Sequence, residues 1–194
     1  MIRHGLPVRV EHDDGTWADP VLDNEGQEQA RLVGEWLAAG ESIDRIYSSP
    51  MRRAMQTATP LSEKLGLGIE PIDGVAEFDR KAAAYVPLEE LRAEDREAYR
   101  ERMRGGWDYG DQDPESFQQT VVDSVSTIID DNRGRRVAIF CHGGVINMWT
   151  ASVLGLGAKL FFPADYTGVS RYRIKDRETR TLVTLNETAH LRTR

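Results

Sequence analysis

The chain carries one cysteine in 194 residues, Cys141. A lone thiol excludes an intramolecular disulfide framework and points to a reducing compartment. No apolar run approaches the roughly 20 residues that a membrane-spanning helix needs, and no signal-peptide pattern is visible. A cytoplasmic protein with no membrane partner is therefore expected. Basic residues are the minority, 25 against 32 acidic, for a net charge of −7. That balance argues against sequence-independent nucleic-acid binding, which needs a basic face, but leaves room for a small basic pocket. Histidine is scarce as well: His4, His12, His142 and His190, with no HxH, HxxxH or HExxH spacing among them. Neither a metal site nor a cofactor is expected from such a set. Cys141 lies in an apolar run, where a thiol is usually core. It also lacks the arginine that a cysteine-based phosphatase places six positions on, since that position is Asn147.

What is present fits an ordinary globular chain, 40% hydrophobic and 29% charged. The length predicts a single domain over 1–194 with a sizeable core. DNEGQEQARLVGEWLAAG reads as an amphipathic helix, with Ala30, Val33, Leu37 and Ala38 near one face and Gly40 as its stop. DRIYSSP is a short strand ending in a turn. MRRAMQTATPLSEKLG is a helix with a kink or break expected before Pro60. GIEPI is a strand, and PLEELRAEDREAYRERMRGG a charged helix with Pro87 in its first turn. DPESFQQTVVDSVSTIIDDNRG is a helix, apolar at Phe117, Val121, Val125 and Ile128. RRVAIFCHGG gives the clearest strand. Its continuous apolar run, Val137 to Cys141, suits a strand buried on both faces and leads through Gly143 and Gly144 into the helix VINMWTASVLG. GVSRYRIKD and TLVTLNE close the chain as strands. Strands alternating with helices predict a three-layer α/β sandwich, whose sites lie beyond the carboxyl ends of the strands. His4 and His142 would both stand there.

Both of these histidines precede glycine, which lets a ligand approach the backbone closely. Gly143-Gly144 opening a helix leaves N–H groups for an anion. Arg3 precedes His4, and Arg53 follows the SSP turn. A guanidinium fork binds phosphate oxygens two at a time, so two arginines and two histidines at element ends suit a phosphoryl group.

In order, RHG at 3–5, SSPMRRAMQTA at 48–58 and FCHGG at 140–144 resemble the histidine phosphatase superfamily, the phosphoglycerate mutase-like group. Asp19, Leu22, Gly26, Gln29 and Ala30 match a further stretch, and LNETAHL resembles the closing strand, so the resemblance spans nearly the whole chain. It implies a three-layer α/β/α sandwich with a mostly parallel central sheet, and a metal-independent phosphatase acting on a small phosphorylated molecule. His4 would attack phosphorus and become phosphohistidine, with a hydrogen-bond acceptor such as a backbone carbonyl fixing its tautomer. Arg3, Arg53 and His142 would hold the phosphate oxygens, and His142 would also serve the chemistry. Glu77 in GVAEFDRK would protonate the leaving group and then activate water, with Asp79 as the alternative. A phosphoglycerate-mutase-type phosphotransferase, or a non-catalytic member that binds a phosphorylated ligand, are the other readings.

Three departures stand out. Relatives place several apolar residues before RHG, as a central strand; here Met1 and Ile2 alone precede Arg3. The expectation is a start farther upstream or a weakened first strand. Mutases follow RHG with Glu-Ser and soon Trp-Asn. The Leu6-Pro7 found here favours phosphatase over mutase. The variable stretch at about 76–118 is expected to form a lid. Tyr85, Trp107 and Tyr109 are its candidate pocket aromatics, or else cement it to the rest of the chain. Oligomeric state stays open, a homodimer included.

Overall fold

The structure is a computed structural model that describes residues 1–87, 113–176 and 178–192, with Arg96, Glu97 and Arg100 besides. A six-stranded sheet runs through it. In chain order its strands are β1 (Ile2–Arg3), β3 (Arg45–Ser48), β4 (Ile69–Pro71), β6 (Val137–Cys141), β7 (Val169–Ile174) and β8 (Arg180–Glu187). The spatial order is β4-β3-β6-β1-β7-β8. The first four pair in parallel, while β7 is antiparallel to β1 and to β8. Two short strands, β2 (Val10–Glu11) and β5 (Ala84–Tyr85), form a separate antiparallel pair.

Helices cover both faces: α1 (Asn24–Gly40) with α2 (Arg52–Leu65) on one, α3 (Pro114–Asp131) with α4 (Gly143–Val153) on the other. The α/β layering with a mostly parallel central sheet is thus as the sequence predicts. β6 shows why it reads as a continuous apolar run. Ala138 and Phe140 join Val33, Leu37 and Leu61 on the α1–α2 side. Ile139 and Cys141 join Val121, Val125 and Trp149 on the α3–α4 side. A strand apolar in alternate positions could line only one of these cores.

Local chemistry sets the helix ends. The Asp23 carboxylate accepts the Gly26 N–H at 2.6 Å to start α1, and Asp113 accepts the Ser116 N–H at 2.8 Å to start α3. Gly66 ends α2 in the left-handed conformation, φ 66°. Of the kink or break expected before Pro60, the break does not occur, and α2 runs through it. The helix packs there on Gly34 of α1 so closely that a Cβ on Gly34 would come within 3.1 Å of Pro60 Cβ and 3.0 Å of Leu61 N. Burial against α1 outweighs the one hydrogen bond that proline removes.

The expected charged helix over 87–106, Trp107 and Tyr109 lie outside the described residues, apart from its first residue Pro87 and Arg96, Glu97 and Arg100. Of the stretch at 76–118, residues 76–87 and 113–118 are described besides those three: turns, β5 and the first turn of α3. β1 spans two residues, with Ile2 beside Phe140 of β6 and Val169 of β7. Below Met1, at the end of the sheet away from the strand termini that carry His4 and His142, a cavity of about 630 Å³ separates the lower halves of β6 and β7. Val137, Ile139, Tyr172, Ile174 and Trp149 line it. Among the described residues no helix is long and apolar enough to cross a membrane.

Candidate active site

β1 and β6 run side by side and in parallel, so their carboxyl ends deliver His4 and His142 to one place. The imidazole centroids are 5.1 Å apart. His4 is buried, and its Nδ1 lies 2.7 Å from the Gly5 carbonyl oxygen. A carbonyl only accepts, so Nδ1 carries the hydrogen and the lone pair is on Nε2. Burial, and then the charges of Arg53 and Arg3, hold the His4 pKa well below the usual value of 6.5. The same causes, in the same order, depress His142. Both rings are therefore neutral near pH 7.

The backbone that carries His4 is fastened from several sides. Its amide donates to the Cys141 carbonyl at 2.9 Å, and its carbonyl accepts from Thr167 at 3.3 Å. The next amides, Gly5 and Leu6, donate to Thr57 Oγ1 and Gln29 Oε1, each at 2.9 Å. Chain packing is tightest here: a Cβ on Gly5 would lie 2.6 Å from the Gly26 carbonyl oxygen, and one on Gly26 would lie 2.0 Å from that of Leu6. Gly26 and Gln29 thus seat the first loop against α1. Asp19 accepts the Arg52 N–H at 3.0 Å and so caps α2, whose first turn carries Arg53.

Arg3 donates through Nη1 to the Ala164 carbonyl at 2.5 Å, and its guanidinium stacks 3.9 Å from the Tyr166 ring centre. Arg53 is 1% exposed. Its Nη2 pairs with Asp79 Oδ1 at 3.2 Å, and its guanidinium lies 4.7 Å from the Tyr85 ring centre. Nε and Nη1 of Arg53 have no protein partner, nor does Nδ1 of His142, whose Nε2 shares a 2.8 Å hydrogen bond with Ser49 Oγ. Buried donors without partners are costly, and a cluster of them is what an anion site requires before the anion arrives.

His142 is the N-cap residue of α4, which sets the first turn of that helix beside the histidines. Glu77 is held there, with Oε2 accepting from Gly144 N at 2.8 Å and Oε1 from Phe78 N at 3.2 Å. Gly144 must be glycine for this, because a Cβ would stand 2.2 Å from Glu77 Oε1. Burial first, then the Asp79 charge, push the Glu77 pKa up to about 7.

The structure thus brings together Arg3, His4, Arg53, Glu77, Asp79 and His142, with Tyr85 beside them. His12 is exposed, and His190 is buried against Thr167 Oγ1 at 2.9 Å. Ser49, Thr57, Gln29 and Tyr166 were not singled out for this role from the sequence. SSP and the TA of SSPMRRAMQTA contain two of them, but nothing local marks which hydroxyl reaches a partner far along the chain. Asn147 is structural: it accepts from Phe161 N at 2.9 Å and Phe162 N at 3.2 Å, pinning the loop that leads to Ala164 and Tyr166. Among the described residues no three His, Cys, Asp or Glu side chains cluster as metal ligands.

The chain has relatives of known identity. Phosphoserine phosphatase 1 of Hydrogenobacter thermophilus is 26% identical over 199 residues, covering 95% of this chain and 93% of that protein. A 2,3-bisphosphoglycerate-dependent phosphoglycerate mutase of Parvibaculum lavamentivorans is 32% identical over 157 residues, covering 74% and 73%. Among solved structures, a phosphoserine phosphatase mutant of Entamoeba histolytica in complex with phosphoserine superposes with a TM-score of 0.74 at 22% identity, covering 98% of this chain and 96% of that one. The mycobacterial glucosyl-3-phosphoglycerate phosphatase gives 0.73 at 20% identity, covering 97% of each. The structural likenesses speak for the fold. The profile of the histidine phosphatase superfamily (branch 1) matches residues 1–188, and the chain belongs to that family.

Proposed function

We propose that the protein is a metal-independent phosphatase that hydrolyses a small-molecule phosphomonoester through a phosphohistidine on His4. The observation that carries this reading is the state of His4: a buried, neutral ring, hydrogen-bonded at Nδ1 to Gly5 O, with its Nε2 lone pair left for phosphorus. Family membership supports it, since the relatives named above include phosphatases.

The steps follow from the groups present. His4 Nε2 attacks phosphorus, an N–P bond forms and the ester P–O bond breaks. The departing alkoxide takes the proton of Glu77, whose pKa near 7 keeps much of it protonated at neutral pH. Charge on the transferring phosphoryl group is met by the guanidiniums of Arg3 and Arg53 and by whichever His142 nitrogen bears hydrogen. Water then attacks phosphorus and gives a proton to the Glu77 carboxylate. The N–P bond breaks, leaving inorganic phosphate and neutral His4. Glu77 ends protonated, ready for the next cycle.

The test is hydrolysis of p-nitrophenyl phosphate with a chelator present, wild type beside His4→Ala. Turnover that survives chelation and is lost in His4→Ala is the expected result. Activity that the chelator abolishes and a divalent ion restores would overturn the metal-free part. Wild type without turnover on aryl and alkyl phosphates, yet retaining phosphate, would leave a binding protein. Leu6 and Pro7 lead us to expect hydrolysis, not phosphate transfer, when a bisphosphoglycerate is supplied to a glycerate acceptor.

A further inference from the structure

Glu77 and Asp79 stand two residues apart in one turn, and both reach the site. Their surroundings differ. The Glu77 carboxylate is enclosed, with backbone amides of Phe78 and Gly144 on its two oxygens. Asp79 keeps 27% of its side chain in solvent and turns Oδ1 to Arg53 Nη2. The turn is firm: Arg80 N donates to the Glu77 carbonyl at 3.2 Å, and Ala82 N to the Asp79 carbonyl at 2.8 Å. The two cations that follow in the chain are engaged elsewhere. Arg80 pairs with Asp73 at 3.3 Å, and Lys81 lies 5.7 Å from the Trp17 ring centre. Arg53 is thus the cation that Asp79 faces among these, and Asp79 takes one corner of that guanidinium while Nε and Nη1 stay without partners.

Resting on the phosphatase reading above, we infer that Asp79 is a positioning residue rather than the proton donor: it steadies Arg53 by one nitrogen and sets its carboxylate beside Glu77. A guanidinium held at one corner presents its remaining donors in a set plane, which suits an incoming phosphoryl group. The charge beside Glu77 disfavours the carboxylate, so the proton needed by the leaving group stays in place at higher pH. The other groups facing Glu77 act in the opposite sense: Arg53 from α2, the Gly144 N–H at the start of α4, and its neighbour Phe78 N–H all favour ionisation. Cys141 of β6 feels Glu77, but burial pushes its thiol up to about 12, and it carries no charge in the working range. Among these neighbours, Asp79 is the one charge that holds the proton on.

The deciding variant is Asp79→Asn, which keeps size and one acceptor oxygen but removes the charge. The readouts are the pH profile of kcat/KM on an alkyl phosphate and the titration of the Glu77 carboxyl by 13C NMR. Both should move to lower pH, with maximal activity within about tenfold of wild type, the effect of losing one charge-assisted hydrogen bond. Asp79→Glu should restore the wild-type profile. Should Asp79→Asn not fold, Asp79→Ser serves for the same two measurements. Superimposable wild-type and Asp79→Asn titrations would overturn the inference. So would a loss on the 10² to 10⁴ scale of a missing general acid in Asp79→Asn, with Glu77→Gln still active. The NMR titration needs no turnover, so failure of the phosphatase reading and failure of this inference are told apart.

Discussion

At the scale of single residues, the proton on Glu77 sets the expected pH behaviour. His4 stays neutral far below pH 6.5, so the acid side of the profile is broad. The alkaline side should fall with an apparent pKa near 7, as Glu77 loses its proton. Glu77→Gln should remove that limb and lower kcat/KM on an alkyl phosphate by roughly 10²- to 10⁴-fold. It should cost much less on p-nitrophenyl phosphate, whose leaving group departs without a proton. Linkage gives the sign for stability. A carboxyl whose pKa rises on folding contributes stability that is present at low pH and lost as pH climbs from the unfolded value near 4.5 to about 7. Denaturant titrations should show wild type losing ground to Glu77→Gln over that interval. Gly144→Ala makes a second test. Its Cβ and Glu77 Oε1 cannot both occupy their places, so kcat should fall toward the Glu77→Gln level while circular dichroism stays native. Arg3, His4, Arg53 and His142 could be picked from the sequence because each stands at an element end inside a short motif. Ser49, Thr57, Gln29 and Tyr166 are common residue types, and their partners lie far off in the chain, so only folding shows what they hold.

At the scale of elements, periodicity was informative wherever an element buries one face or two. Phe117, Val121, Val125 and Ile128 of α3 are all buried, and β6 is a two-faced core strand. Pro60 does not break α2, because propensity is a local argument and the helix is held by a tertiary one. Its contact with Gly34 carries that weight. Gly34→Ala would drive a methyl against Pro60 and Leu61, where the nearest atoms are backbone and ring. A loss of about 1–3 kcal/mol is expected in urea unfolding. Asn147 shows how an element can serve the site without touching it. From α4 it holds Phe161 and Phe162 by their amides, and the same loop supplies Ala164 and Tyr166 to Arg3. Asn147→Ala should leave the part-buried Phe161 and Phe162 amides without their side-chain acceptor, cost on the order of 1 kcal/mol, and weaken inhibition by inorganic phosphate.

At the scale of the whole molecule, net charge and local charge point opposite ways. A chain of −7 presents an anionic exterior, yet Arg3 and Arg53 create a buried cationic spot. Long-range repulsion of a phosphorylated substrate of the kind proposed would be screened by salt, and the buried contacts much less so. The sheet that supports the spot depends on β6 for both of its cores, and Phe140→Ala should cost about 3–5 kcal/mol. The layered architecture was readable from alternating strands and helices. The order of the strands was not, since it depends on pairings between distant segments, such as Ile2 with Phe140 and Val169.

The cavity between the lower halves of β6 and β7 bears on how the protein is handled. Met1 closes its upper end, and the terminal amine donates to Ser170 O while burial lowers its pKa to about 6. Any residues joined to Met1, an affinity tag included, would turn that amine into an uncharged peptide N–H and start down the gap between two strand edges. Residues added there would therefore change the structure beneath His4. A β-branched apolar run there should raise the melting temperature over that of protein tagged at its C-terminus, and a proline-containing run, which cannot complete the ladder, should not.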